Sequence, residues 1–308
     1  MLTDFTKTRK SEMPSKKDLK ILLKNQINNI ALKSGEKEFM DHINCMDQTL
    51  ALLDDEKDPL IFSMMGGYVR EFITSFLILY FGTKDLEKAL EANSLVKSLT
   101  QYIVLLDKHY DEKSYEYKVR ADTIFKSIMK DAKGYVKNGI KHSMATLWNI
   151  ASYEIKLKER MFNNEVFDEK EIRYHLMQKS SDTLLYAVIL DKYVKSFNPN
   201  VLQLYHYNQA LLDILDDYND IEEDIMNRDL NIFLMAGGNE LPVSDIINYK
   251  VSIDHVKRKS AEMVLSIVMD FETCIDGISV PEEFSFMKIM SKGYIKNITN
   301  CIMPHITN

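Results

Sequence analysis

The stretch Asp213-Ile214-Leu215-Asp216-Asp217-Tyr218-Asn219-Asp220-Ile221-Glu222-Glu223-Asp224 sets five aspartates in twelve residues. At about 3.6 residues per turn, Asp213, Asp216, Asp217, Asp220 and Asp224 share one narrow helical face. Ile214, Tyr218, Ile221 and Ile225 lie on the other side. Like charges at i,i+4 destabilise a helix by about 0.2–0.5 kcal/mol per pair. A chain that stacks five aspartates on one face turns them either to open water or to cations. On this segment alone the two readings stand level.

Working outward, every long segment carries the helical period, and no alternating strand pattern is found. Pro14, Pro59, Pro199, Pro242, Pro281 and Pro304 sit where helices are expected to begin or end. Asp58-Pro59 and Asn198-Pro199 each read as an N-cap followed by proline at the first helical position. The expected helices are Lys16–Lys33, Glu36–Leu53, Leu60–Phe81 (closed by Gly82), Lys84–Tyr110, Tyr115–Lys133, Tyr135–Phe162, Glu169–Ser196, Pro199–Met226, Asp254–Cys274 and Glu282–Cys301. Met235–Pro242, with Gly237 and Gly238, is the most loop-like stretch. The expectation is an all-α fold, with a polar tail over residues 1–15 and one domain of about ten helices over 16–308.

Composition limits the function classes. The chain has 308 residues and a net charge of −7, which gives no reason to expect nucleic acid. No run of 18 apolar residues occurs, so no membrane span is expected. The first 17 residues lack an apolar core of the signal-peptide kind, which leads to the expectation of a cytoplasmic protein. Cys45, Cys274 and Cys301 have no pairing or zinc-like spacing and are expected as free thiols.

A second acidic site shifts the balance on the aspartate face. Asp107 and Asp111 are at i,i+4 near the end of the Lys84 helix, and the same face runs back through Val104, Ile103, Thr100 and Val96. A solvated face would be polar throughout. An apolar wall ending in two carboxylates describes a greasy pocket with an acidic mouth. The hydrated helix end is the bland alternative. Two opposed acidic faces would repel unless cations lay between them. Hard oxygen donors without cysteine or clustered histidine favour Mg²⁺, which binds through a few carboxylates and substrate phosphates. A diphosphate on a hydrocarbon chain is the ligand this expects.

At this point the chain resembles the class I isoprenoid biosynthesis enzymes, the trans-prenyl diphosphate synthases and class I terpene synthases. Gly66-Gly67-Tyr68-Val69-Arg70 loosely resembles the GGKxxR segment of the prenyl synthases, and Asp107-Lys108-His109-Tyr110-Asp111 resembles DDxxD with lysine at its second place. Tyr174 to Ser181 resembles the lysine-threonine segment. Gln209 followed by Asp216, Asp217 and Asp220 resembles the second motif, and Asp216, Asp220 and Asp224 match the spacing of the terpene synthase metal triad. The resemblance covers about Met64 to Ile232. It implies an isoprenoid synthase fold around a deep central cavity, a homodimer, and a cluster of three Mg²⁺ ions. Asp107, Asp111, Asp216, Asp220 and Asp224 are the expected ligands, with Asp213 and Asp217 as second choices. Arg70, Arg173, Lys179, Arg228 and Gln209 are expected to bind substrate. Ile103 and Tyr102, four and five places before Asp107, are the expected pocket floor. Phe76, Tyr102, Trp148 and Tyr205 are the rings considered for facing a carbocation.

The departures from the family pattern are Lys108, Tyr68 in place of the usual lysine, and no arginine pair after the first motif, where Lys118 and Arg120 are the nearest cations. They fall on the second, homoallylic substrate. The resemblance therefore implies a terpene synthase acting on one allylic prenyl diphosphate. A short-chain prenyl diphosphate synthase and a catalytically silent partner subunit are the alternatives.

Overall fold

The protein is described here from a computed structural model, which covers residues 85–112, 114–131, 134–180, 192–194, 198–237 and 252–307, with 75, 78, 79, 81–83 and 187–189. Among the described residues every element is helical and no strand occurs. The helices are α1 (Leu86–Glu112), α2 (Tyr115–Asp131), α3 (Gly134–Phe162), α4 (Glu169–Lys179), α5 (Pro199–Asn227), α6 (Ile232–Gly237), α7 (Ile253–Gly277) and α8 (Ser285–Thr307). A short 3₁₀ turn, Glu282–Phe284, precedes α8. No described helix is long and apolar enough to cross a membrane. The helices expected over Lys16–Lys33 and Glu36–Leu53, the tail, Cys45, Pro59 and Pro242 lie outside the described residues; of the helix expected over Leu60–Phe81, residues 75, 78, 79 and 81 are described and helical.

The chain forms two compact units, described separately. One holds residues 7–143 and 184–197, and the other holds 1–6, 144–183 and 198–308. In the first, α1 packs along α2. Val96, Thr100, Val104 and Leu105 of α1 are buried, as are Ala121 and Ile128 of α2. Tyr102 stacks on Phe125 with centroids 4.9 Å apart. The connection closes through His109, whose Nδ1 donates to the Ser114 carbonyl at 2.9 Å. Gly82 does not close a helix as expected, because residues 81–83 are helical. Its role is close approach: a Cβ there would stand 2.6 Å from Val194 Cγ1.

In the second unit, α5 is the central helix and packs against α4, α6, α7 and α8. Its start is fixed as the sequence predicts. The Asn198 side chain accepts from Asn200 N at 2.9 Å and Pro199 takes the first turn. Such a cap contributes about 1 kcal/mol. α4 starts at a capping box, with Asp168 accepting from Glu171 N and Glu171 accepting from Asp168 N. Ser252 caps α7. α5 is tied to α8 by a buried pair in which Ser291 Oγ donates to Asn208 Oδ1 at 2.6 Å. Leu204, Ile214 and Ile221 of α5, Phe271 of α7, and Met287 and Ile298 of α8 are buried in the core of this unit.

Three further expectations are corrected. The helix expected over Glu169–Ser196 stops at Lys179, where the Ser180 hydroxyl bonds back to the Leu176 carbonyl and its N–H caps the turn. The stretch from Met235, expected as loop, is helical through Gly237, and all six residues of α6 are buried. A short helix apolar on every side shows no period. Pro304 lies inside α8, in its last turns. Cys274 and Cys301 are free and half-buried, as expected.

Candidate functional site

α5 carries its five aspartates at graded depth. Asp217 is buried, Asp213 and Asp224 are half-buried, and Asp216 and Asp220 are exposed. Asp217 is fully engaged. Its Oδ1 lies 2.8 Å from the Lys179 ammonium and its Oδ2 accepts from Ile232 N, the first residue of α6, at 2.8 Å. Lys179 is the last residue of α4, where a cation is also favoured by the helix carbonyls. Next to it the Ser180 hydroxyl donates to Asp213 Oδ2 at 2.6 Å. His206 Nε2 of α5 donates to the Met177 carbonyl at 2.8 Å. Three contacts thus pin the end of α4 along the acidic side of α5.

Burial disfavours the Lys179 charge, but Asp217 and then Asp213 outweigh it, so its ammonium is held above the ordinary lysine range. His175, one turn earlier and 1% exposed, is pushed down to about 3 by burial and then by Lys179, so it is neutral. The remaining acids are in surplus. Crowding by surrounding protein, then Asp213, raises the Asp216 carboxyl to about 7, although its side chain keeps an exposed edge. Burial raises Asp224 to about 7 against the hydrogen bond from Asn231. Burial also raises Asp213, and it raises Glu154 of α3, which Lys179 pulls down and Asp213 and Asp217 push up.

Glu154, Ser180 and Asn231 are members of this cluster that sequence reasoning did not assign. Glu154 and Lys158 read as an ordinary i,i+4 surface pair. Lys158 instead bonds to Asp229 at 2.5 Å. Ser180 lies inside the lysine-threonine-like segment and carried a visible signal. Asn231 follows the helix end and reads only as a turn residue.

The other expected binding residues are placed as follows. Arg173 leaves the cluster for α7, where it bonds to Asp270 at 2.5 Å and lies over the Phe271 ring. Lys179 and Arg173, six residues apart, face different sides of α4. Arg228 caps α5 in the left-handed conformation, is exposed, and lies 5.1 Å from the Phe162 ring centre. Gln209 and Tyr205 are buried, and Trp148 is 43% exposed. Asp107 and Asp111 are on α1, in the other unit, and their side chains lie outside what is described, as do Arg70 and Phe76. Tyr102 is part of the α1–α2 core, and Ile103 is half-buried.

In the unit that holds α1, an open groove of about 460 Å³ is lined by Ser94, Leu95, Ser98, Ile124, Ile128 and Tyr193, among others. By helix geometry its α1 residues lie on the face opposite Asp107, so this groove is not the expected pocket.

No described group of three or more His, Cys, Asp or Glu side chains converges as a metal cage. The donor set still suits Mg²⁺, which uses few protein ligands and completes its shell with water and substrate phosphate. Asp216, Asp220 and Asp224 repeat every four residues along α5, and two of them are acids held near neutrality by crowding and like charge. Such acids gain from any cation brought to them. Compared with protein-family models, with curated proteins and with solved structures, the chain matches none of them.

Proposed function

We propose that the protein is a Mg²⁺-dependent class I terpene synthase that ionises an allylic prenyl diphosphate and releases diphosphate after cyclisation or proton loss. The observation that carries this reading is the seating of Lys179 and Ser180 on the aspartate face of α5, at Asp217 and Asp213. The two segments whose resemblance pointed to diphosphate chemistry, 38 residues apart, are joined there.

In this reading Asp216, Asp220 and Asp224 hold Mg²⁺ from α5. Bound Mg²⁺ supplies charge stabilisation to the departing diphosphate, an effect worth several kcal/mol. Asp217 serves the fold instead. It anchors Lys179 and the first N–H of α6, which fixes the turn of α5 carrying Asp216 and Asp220. Arg228, the exposed residue that ends α5, is in this reading a cation for the phosphate oxygens. Breaking the carbon–oxygen bond leaves an allylic cation, which adds to a double bond of its own chain or loses a proton. The protein is a homodimer in this reading, which light scattering at micromolar concentration checks.

The deciding experiment incubates the protein and Mg²⁺ with C10, C15 and C20 allylic diphosphates, with and without isopentenyl diphosphate. Hydrocarbon or alcohol from the allylic substrate alone is the expected product. A longer diphosphate formed only with both substrates would make it a prenyl diphosphate synthase. No turnover of any substrate would favour a silent partner subunit, for which Lys108 in the first motif is the motive. Asp216→Ala is expected to lose about a hundredfold in rate or more, the scale of one electrostatic stabiliser. Wild-type rates in excess chelator would end the metal-dependent reading.

A further inference from the structure

α5 ends at Asn227 and the chain reverses at Arg228, a non-glycine residue at φ 58°. Asp229 N then bonds to the Asp224 carbonyl at 2.7 Å, and the returning chain lays Asn231 against α5. Asn231 is 0% exposed. Its two amide protons go to two places: Nδ2 donates to the Asp217 carbonyl at 2.7 Å and to Asp224 Oδ2 at 2.7 Å. Its Oδ1 accepts from Phe233 N at 2.9 Å. An amide has two donors and one carbonyl, so Asn231 is satisfied on both and locked in one orientation.

The contrast with Asp217 is chemical. Asp217 receives a cation, Lys179, and its second oxygen is also taken. Its charge is spent within the fold. Asp224 receives only a neutral donor, on one oxygen, and its Oδ1 takes no hydrogen bond from a described residue. A neutral amide fixes the plane of a carboxylate without discharging it. That is the arrangement of a ligand whose orientation is set from behind.

We propose that Asn231 is a positioning residue for Asp224, the ligand at the C-terminal end of the α5 set. The proposal rests on the reading of the aspartate face as a Mg²⁺–diphosphate site. It adds to that ligand set the buried side chain that holds Asp224 in one orientation.

The test measures binding of inorganic diphosphate, with and without Mg²⁺, by titration calorimetry of the full chain. Wild type is compared with Asn231→Ala, Asp224→Ala and the double variant, each checked for helix content and melting temperature. Expected is a loss of about 10–100-fold in Mg²⁺-dependent affinity for Asn231→Ala, the scale of removing a group that orients a ligand. Diphosphate binding without Mg²⁺ is unchanged. The double variant is no weaker than Asp224→Ala, because both changes remove one unit. If Asn231→Ala does not fold, Asn231→Asp is read instead; it keeps the volume and the acceptor for Phe233 N and loses the donor to Asp224. Asp224→Glu, which leaves Asn231 and α6 untouched, keeps the charge, loses the fixed position, and is expected to bind as weakly as Asp224→Ala. Wild-type affinity in a folded Asn231→Ala or Asn231→Asp, or full affinity in Asp224→Glu, overturns the proposal alone. Failure of wild type to bind Mg²⁺–diphosphate overturns the reading of the site and this proposal with it.

Discussion

Replacing Lys179 by methionine tests whether the Lys179–Asp217 pair is a structural keystone. The variant keeps most of the side-chain volume and removes the ammonium. Asp217 is 3% exposed and would retain the Ile232 N–H on Oδ2, leaving Oδ1 bare. Removing one partner of a buried pair costs about 3–5 kcal/mol, because the other charge stays behind. The Lys179 side chain is 32% exposed, so water reaches the vacated end, and the lower figure of about 3 kcal/mol is expected. At about 2–4 °C per kcal/mol this lowers Tm by roughly 6–12 °C. A second substitution separates this cause from lost packing. In wild type the lysine is held above its ordinary 10.5, so its contribution is complete below that pH and is lost only in stronger alkali. Adding Asp217→Asn, which removes the charge and keeps an acceptor for Ile232 N, is expected to recover part of the loss at pH 8. The assay is thermal unfolding followed by circular dichroism between pH 4.5 and 8.5. A deficit below about 1 kcal/mol at pH 8, or no recovery on adding Asp217→Asn, would refute the burial argument, since about 1 kcal/mol is the ceiling for a solvated pair.

Asp224→Asn is expected to stabilise the ligand-free protein at pH 8 and not at pH 4. A folded carboxyl at about 7 against an ordinary 3.8 disfavours folding progressively from about pH 4 to 7 and fully above, and with solvent screening about 1 kcal/mol of gain is expected in the same unfolding assay. Gly82→Ala is expected to destabilise by about 1 kcal/mol net, since overpacking against the stiff Val194 outweighs the helix propensity gained; Val194→Ala in the same chain should relieve it. Mg²⁺ and diphosphate together are expected to raise Tm more than the sum of each alone, because each completes the other's coordination; differential scanning fluorimetry reads this directly. Ile103→Ala is expected to raise the C20-to-C15 ratio of kcat/KM, within the roughly 10–200-fold that apolar pocket contacts govern. Tyr102→Ala, by contrast, removes a ring stacked on Phe125 and should cost about 3 kcal/mol of stability whatever its effect on substrate choice.

The helical class of the fold was legible because amphipathic period is a long-range signal, repeated over 27 residues in α1 and 29 in α5. Starts were read where the chemistry is local: Asn198 and Pro199 specify the first turn of α5 by themselves. What failed was punctuation without glycine or proline. Nothing around Lys179 marks a stop; the helix ends there because Ser180 bonds to both Leu176 and Asp213, and Asp213 is 33 residues away. α6 failed for the opposite reason. Gly237 and Gly238 read as a loop, while burial on all sides by α4, α5 and α7 holds Ile232–Gly237 helical.

The aspartate face was legible as a face, with Asp216, Asp220 and Asp224 set apart by their spacing, and the sequence also carries its gradient of burial. Taking Asp213 as zero and about 100° per residue, Asp217 stands near 40°, Asp224 near 20°, Asp220 near −20° and Asp216 near −60°. The apolar stripe of the same helix begins at Ala210, near 60°, and continues through Ile221 and Ile214 to about 100°. Asp217 therefore borders the stripe and Asp216 is farthest from it, the order in which they are buried and exposed. An acid on the border of a buried stripe must bring a partner with it. Lysine was visible in the α4 segment as a candidate for phosphate; the wheel assigns it to Asp217 instead. The two aspartates turned outward, Asp216 and Asp220, and the one held edge-on by Asn231 are the proposed ligands. Distinguishing them required only the direction of the stripe, whereas Asn231 required the chain reversal at Arg228, which no periodic signal encodes.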